Sequence, residues 1–327
     1  MKMIEINHQP GNHCASTGVR NIVNFHGIEM SEAMCFGIGE GLGLWYIDLP
    51  NGKPSRMVHV RSADFEKCFF TNFNGHFEWE TDDDPLESEK QLMLKIDEGL
   101  PAIIQTDIFY LPYYGSKTHF PGHVITVWGY DREKEIFIVS DTERDAVQEV
   151  PMAKLRQARY CHDGIFLSKG NLYAPVSLKQ PDDLPEIIKT SVFTNSQFLS
   201  SHVIPYSGKP AFRKWESEIL EWANFEDWQW TSRFCYQIIE KRGTGGGGFR
   251  KMYAAFLKEA SVMVESIKTN GLDQRMEEIA VAWTDLSFAL KDVSEMENPN
   301  FSECLENVRK VNALEMSYHD DVVKIFQ

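Results

Sequence analysis

The chain has no apolar run long enough to cross a bilayer. Its first residues, Met1-Lys2-Met3-Ile4-Glu5, lack the layout of a secretion signal. Both absences predict a cytoplasmic protein with no membrane partner. Cysteine is sparse: six residues, at 14, 35, 68, 161, 235 and 304, with no C-x-x-C pair among them. This excludes a disulfide framework and a thiolate metal centre and predicts reduced thiols. The metalloprotease pattern H-E-x-x-H is missing. His119 and His123 have a suggestive spacing, but Pro121-Gly122 between them keeps them off one helix face, so no metal is expected. Positive charge is also short. Against 48 Asp and Glu stand 33 Lys and Arg, for a net charge of −15, and both halves of the chain share the excess. Nucleic acid needs a basic surface and is excluded as a partner, whereas a cationic small molecule would be drawn in. Internal repeats and low-complexity tracts are absent.

What is present divides the 327 residues in two. Up to about residue 172, short strand-like and helical segments alternate; from Pro181-Asp182-Asp183-Leu184-Pro185 onward only helical patterns follow, over 184–201, 210–223, 225–241, 247–268, 272–292 and 301–325. The class is α+β, with an expected first domain over 1–172 and a helical domain over 173–327. Composition sets no oligomeric state.

Near the N-terminus, Ala15, Gly18, Val19, Ile22 and Val23 form a helical stripe that places Cys14 in a first turn, capped by Asn12 or His13. Unpaired amides and the helix dipole at that end favour a thiolate. Farther on, His123–Tyr130 and Lys134–Asp141 read as two strands joined by Asp131-Arg132-Glu133. A three-residue loop would pair Tyr130 with Lys134, Val127 with Phe137, Ile125 with Val139 and His123 with Asp141. An imidazole and a carboxylate then stand together over an apolar floor. Just before them, the aromatic stretch Phe109–Gly115 is expected as a loop lining a pocket. The glycines of Gly37–Gly43 match no nucleotide-binding spacing and are assigned to turns and close packing.

Cys14, His123 and Asp141, in that order on helix, strand and strand, make the arrangement of papain-like thiol chemistry: nucleophile, base and orienting carboxylate. His13-Cys14-Ala15-Ser16-Thr17, Ser31-Glu32-Ala33-Met34 and Phe36–Gly43 also resemble the N-terminal domain of the butirosin-biosynthesis H-type acyltransferases. Gly243–Arg250 with Tyr253–Leu257 resembles the helical domain commonly fused to it. The resemblance implies a fold similar to papain and the bacteriocin-leader peptidases. It further implies transfer of an aminoacyl group from an acyl-carrier-protein thioester to a small-molecule amine, in the manner of antibiotic biosynthesis. No resident cofactor follows; phosphopantetheine would arrive on the carrier. A cysteine peptidase or amidase, and a non-catalytic binding module, are the rival readings.

Papain-like enzymes place an oxyanion-binding glutamine six residues before the cysteine. His8 holds that position here, so Gln9 and Asn12 become the candidate donors. A second candidate region is Lys241–Lys251, where cations bracket a glycine run at a helix start. Arg242, Gly245, Gly246, Arg250 and Lys251 are expected to hold the phosphate of a phosphopantetheine arm or an acidic carrier.

Overall fold

The computed structural model describes residues 1–73, 75–161 and 168–327, with the backbone alone described for Cys161. Two compact units are present. One is Met1–Cys35 with Phe73–Pro181; the other is Phe36–Asn72 with Asp182–Gln327. This division differs from the single cut expected at 172/173, because residues 36–72 group with the helical half.

The first unit is built on a six-stranded antiparallel sheet. Ala102–Thr106, His123–Asp131 and Ile136–Ser140 lie at its centre, flanked by Leu172–Tyr173 and Gln148–Pro151. Lys2–Met3 pairs with the far end of the central strand, Met3 opposite Gly129. Val124-Ile125-Thr126-Val127 and Ala102-Ile103-Ile104 supply the β-branched runs that such buried strands favour. All nine residues of His123–Asp131 are buried, so both faces of this strand are covered. On one side Ile104, Ile125, Val127, Phe137 and Val139 pack with Leu92 and Ile96 of helix Pro85–Asp97 and with Leu155 and Ala158 of helix Met152–Ala158. Helix Cys14–Phe25 meets the other, with Gly18 set closely against Ile103 and Val124.

The hairpin register departs from expectation. Asp131 pairs with Ile136, leaving four residues in the turn, and Tyr130 faces Phe137. A bulge between Val127 and Gly129 then shifts the pairing, so that Val127 faces Val139 and Thr126 faces Ser140. Beyond the bulge the offset from the expected register is two residues, an even number, and side chains on the two strands keep their shared face.

In the second unit, hairpin Leu42–Asp48/Arg56–Arg61 joins a helical array. Helix Leu272–Ser294 is packed by Trp228–Glu240, Arg250–Ala260 and Ser302–Phe326, around buried Trp215, Trp222 and Trp283. The helix expected over 247–268 is two: Arg250–Ala260 and Glu265–Thr269. Among the described residues no helix is long and apolar enough to cross a membrane.

Candidate active site

Helix Cys14–Phe25 begins where His13 takes an extended conformation and its side chain accepts a hydrogen bond from the Ser16 amide. Cys14 is thereby the first helical residue, half-buried. His123 opens its strand and is buried, and hydrogen bonding to the Cys14 sulfur acts on its ring. His123 Nε2 lies 2.9 Å from both carboxylate oxygens of Asp141. The structure thus brings Cys14, His123 and Asp141 together.

Charge and burial compete at this triad. Burial by itself would lower the His123 pKa. The Asp141 charge, its hydrogen bond and the Cys14 sulfur outweigh it and raise the value to about 10. Burial pushes the Asp141 carboxyl up, and the facing imidazolium, with hydrogen bonds from Tyr113 and Thr142, brings it below its ordinary range. The preferred state of the pair is imidazolium and carboxylate.

The aromatic loop completes the surroundings, and two of its hydroxyls reach the triad. Tyr113 donates to Asp141 Oδ2 at 2.7 Å, while the Tyr114 hydroxyl stands 3.3 Å from His123 Nε2. Burial and the Asp141 charge push both phenols far above their usual range, so each stays a neutral O–H. Arg144 lies over both rings, 5.6 and 5.5 Å from their centroids, and donates to the Tyr113 carbonyl. The stretch was legible as turn-rich from its composition; which tyrosine touches His123 and which Asp141 was not, since this depends on a turn starting at Asp107. That buried residue accepts from the Phe109 and Phe120 amides and from His119 Nδ1, closing the loop on itself.

The oxyanion candidates fare differently. Asn12 is two residues from Cys14, and its backbone N–H donates to Glu32. Gln9 lines a depression of about 660 Å³ with Asn7, Asn24 and Ser31, whose lining includes none of the triad. His8, at the position of the expected glutamine, puts Nε2 2.9 Å from the Arg144 carbonyl and Nδ1 near Asn21. Its ring is a strut between the N-terminal segment and the loop after Asp141.

In the glycine-rich candidate the expectation for Arg250 is corrected. Arg250 is fully buried: Nε and Nη2 grip Glu315 at 2.5 and 3.0 Å, and the remaining N–H groups reach the carbonyls of Gly43, Val60 and Gly248. It clamps the hairpin to the helices and is closed to any ligand. Gly245 to Gly248 all have φ between 58° and 88°, a region that disfavours side chains, which accounts for the run. Their anion-binding potential is met internally, since the Gly247 amide donates to Glu240 and the Gly246 amide to Thr244. Lys251 pairs with Glu240, and Arg242 donates to Gln237 while lying over Phe234. The glycines of Gly37–Gly43 are packing positions too; a Cβ on Gly37 would enter the Phe256 ring.

Among the described residues no group of three His, Cys, Asp or Glu is arranged to hold a metal ion. Among the described residues Cys14, Cys35, Cys68, Cys235 and Cys304 stand outside any disulfide. Burial raises the pKa of Cys68, Cys235 and Cys304 to about 12, which makes them poor nucleophiles.

Two family profiles match the chain. Residues 13–142 match the family described as butirosin biosynthesis protein H, N-terminal, and residues 153–322 match a domain of unknown function, DUF4872. No curated protein matches it.

Proposed function

For a chain that belongs to the DUF4872 family over 153–322 and carries ahead of it, over 13–142, a domain of the butirosin biosynthesis protein H N-terminal type, we propose acyl transfer through Cys14. The donor is an aminoacyl thioester on the phosphopantetheine of an acyl carrier protein, and the acceptor is an amine of a small molecule. The observation that carries this reading is the buried His123–Asp141 pair, charged and in contact with the Cys14 sulfur. A papain-like disposition of helix and antiparallel sheet belongs to the same reading.

The steps follow from the residues. His123 takes the thiol proton, and the thiolate attacks the thioester carbonyl carbon. The oxyanion is met by amides of the helix first turn, with the Asn12 side chain as a further donor. Collapse breaks the carbon–sulfur bond to the carrier, whose thiolate takes the proton from His123, leaving an acyl group on Cys14. The amine then attacks this acyl-enzyme and His123 accepts its proton. Collapse releases the amide and returns the proton to the Cys14 sulfur. Asp141 holds the imidazole and stabilises its charged form throughout. The acidic chain favours a cationic acceptor.

Turnover of a model aminoacyl thioester with a primary amine present tests the proposal. Amide should form faster than free acid, with both lost in Cys14→Ser. Free acid as the sole product would make the protein a hydrolase.

A further inference from the structure

Helix Cys14–Phe25 is entered through a segment held from two directions. On one side stands Glu32, 8% exposed, in the first turn of the next helix. Its carboxylate accepts from the Asn12 amide at 2.9 Å, the His13 amide at 2.8 Å, Ser16 Oγ at 2.9 Å and Thr17 Oγ1 at 3.2 Å. On the other side Arg20 directs Nη1 to the Pro10 carbonyl and Nη2 to the Gln9 carbonyl. Between them the Gly11 amide donates to the Thr142 carbonyl at 2.7 Å, next to Asp141. A side chain on Gly11 would strike both Thr17 Oγ1 and Glu32. Amides, carbonyls and the tight glycine therefore leave the two peptides ahead of Cys14 a single placement.

A nucleophile helix that relied on its own dipole would keep its N-terminus clear of other anions. Here a buried carboxylate occupies that end and takes up four donors. We propose that Glu32 is a positioning residue for Cys14: it fixes the Asn12-His13 peptide and sets a carboxylate at the helix start, so that thiolate formation depends on His123. The inference rests on Cys14 being the nucleophile. The groups that act on these charges are Arg20, which feels both Glu32 and Cys35, and His123 and Tyr114 beside Cys14. Arg20 feels the Glu32 charge while its terminal nitrogens serve the loop carbonyls.

The test is the pH dependence of Cys14 alkylation by iodoacetamide, read by peptide mass with the other thiols as internal controls, in the full chain and in Glu32→Gln and Glu32→Asp. Removing the charge should move the thiolate inflection of Glu32→Gln to lower pH by about one unit. Glu32→Asp keeps the charge and should keep the inflection, with a lower Tm from lost hydrogen bonds. An unmoved inflection in folded Glu32→Gln overturns the proposal. So does an inflection in Glu32→Asp displaced by a unit, which decides the matter if Glu32→Gln does not fold. Failure of the nucleophile assignment looks different: wild-type Cys14 would then react like a free thiol.

Discussion

His123 Nε2 stands 2.9 Å from both oxygens of Asp141, although the strand register puts the two residues diagonally and not directly opposite. The contact exists because the bulge between Val127 and Gly129 returns Asp141 to the face that His123 occupies. Asp141→Asn removes the carboxylate that favours imidazolium. Transfer kcat/KM should fall by about 100-fold, the order at which positioned acid–base groups act. Steady-state kinetics on a model thioester, beside a circular dichroism spectrum of the folded variant, measures this.

The same pair makes stability depend on pH, in a fixed direction. The folded His123 pKa is raised, so its stabilisation is complete below the ordinary value of 6.5 and is lost as pH climbs through about 10. Asp141 is lowered, and its contribution is held above 3.8 and lost on acidification below that value. Wild type should therefore lose more Tm between pH 7 and 10.5 than His123→Asn does. Equal slopes in a thermal scan series would contradict the assignment.

Arg250 and Glu315 form a pair with both side chains fully buried. Removing one partner strands the other charge, so Arg250→Ala should destabilise by about 3–5 kcal/mol in urea unfolding followed by tryptophan fluorescence. Burial would raise the Glu315 pKa, but Arg250, with His319, brings it to about 2. The stabilisation is present above 4.5 and is lost as pH falls through about 2, so the pair should survive at pH 4. A ligand-binding role for Arg250 would instead move KM and leave the urea midpoint unchanged.

Tyr113→Phe deletes the 2.7 Å hydrogen bond to Asp141 and little else. A bond to a charged acceptor contributes about 1.5–3 kcal/mol. The Asp141 carboxyl should titrate higher, and the acid limb of the kcat profile should move up in pH with KM steady.

The site was more legible in the chain than its surroundings. Helical spacing after Cys14 and the apolar strand run after His123 are local patterns, and they placed one residue at a helix start and the other at a strand start. The exact pairing was not local. The bulge interrupts a run that reads as evenly strand-forming through Val124–Trp128 and leaves no mark in composition. Arg250 misled for a related reason: its partners Glu315, Gly43 and Val60 are distant in sequence, so its burial has no nearby sign. Glu32 looks like an ordinary first-turn acid of a short helix, and only the fold turns it toward the Asn12 and His13 amides. The break after Ala260 likewise interrupts a stripe that periodicity carries through to Val264.

The most direct test of the central claim is the intact mass of the protein after brief exposure to an aminoacyl-carrier thioester without acceptor amine. The account predicts a single acyl addition on Cys14 that disappears when amine is added and never forms in Cys14→Ser. An unmodified wild-type mass under turnover, or an adduct that persists in Cys14→Ser, would contradict it.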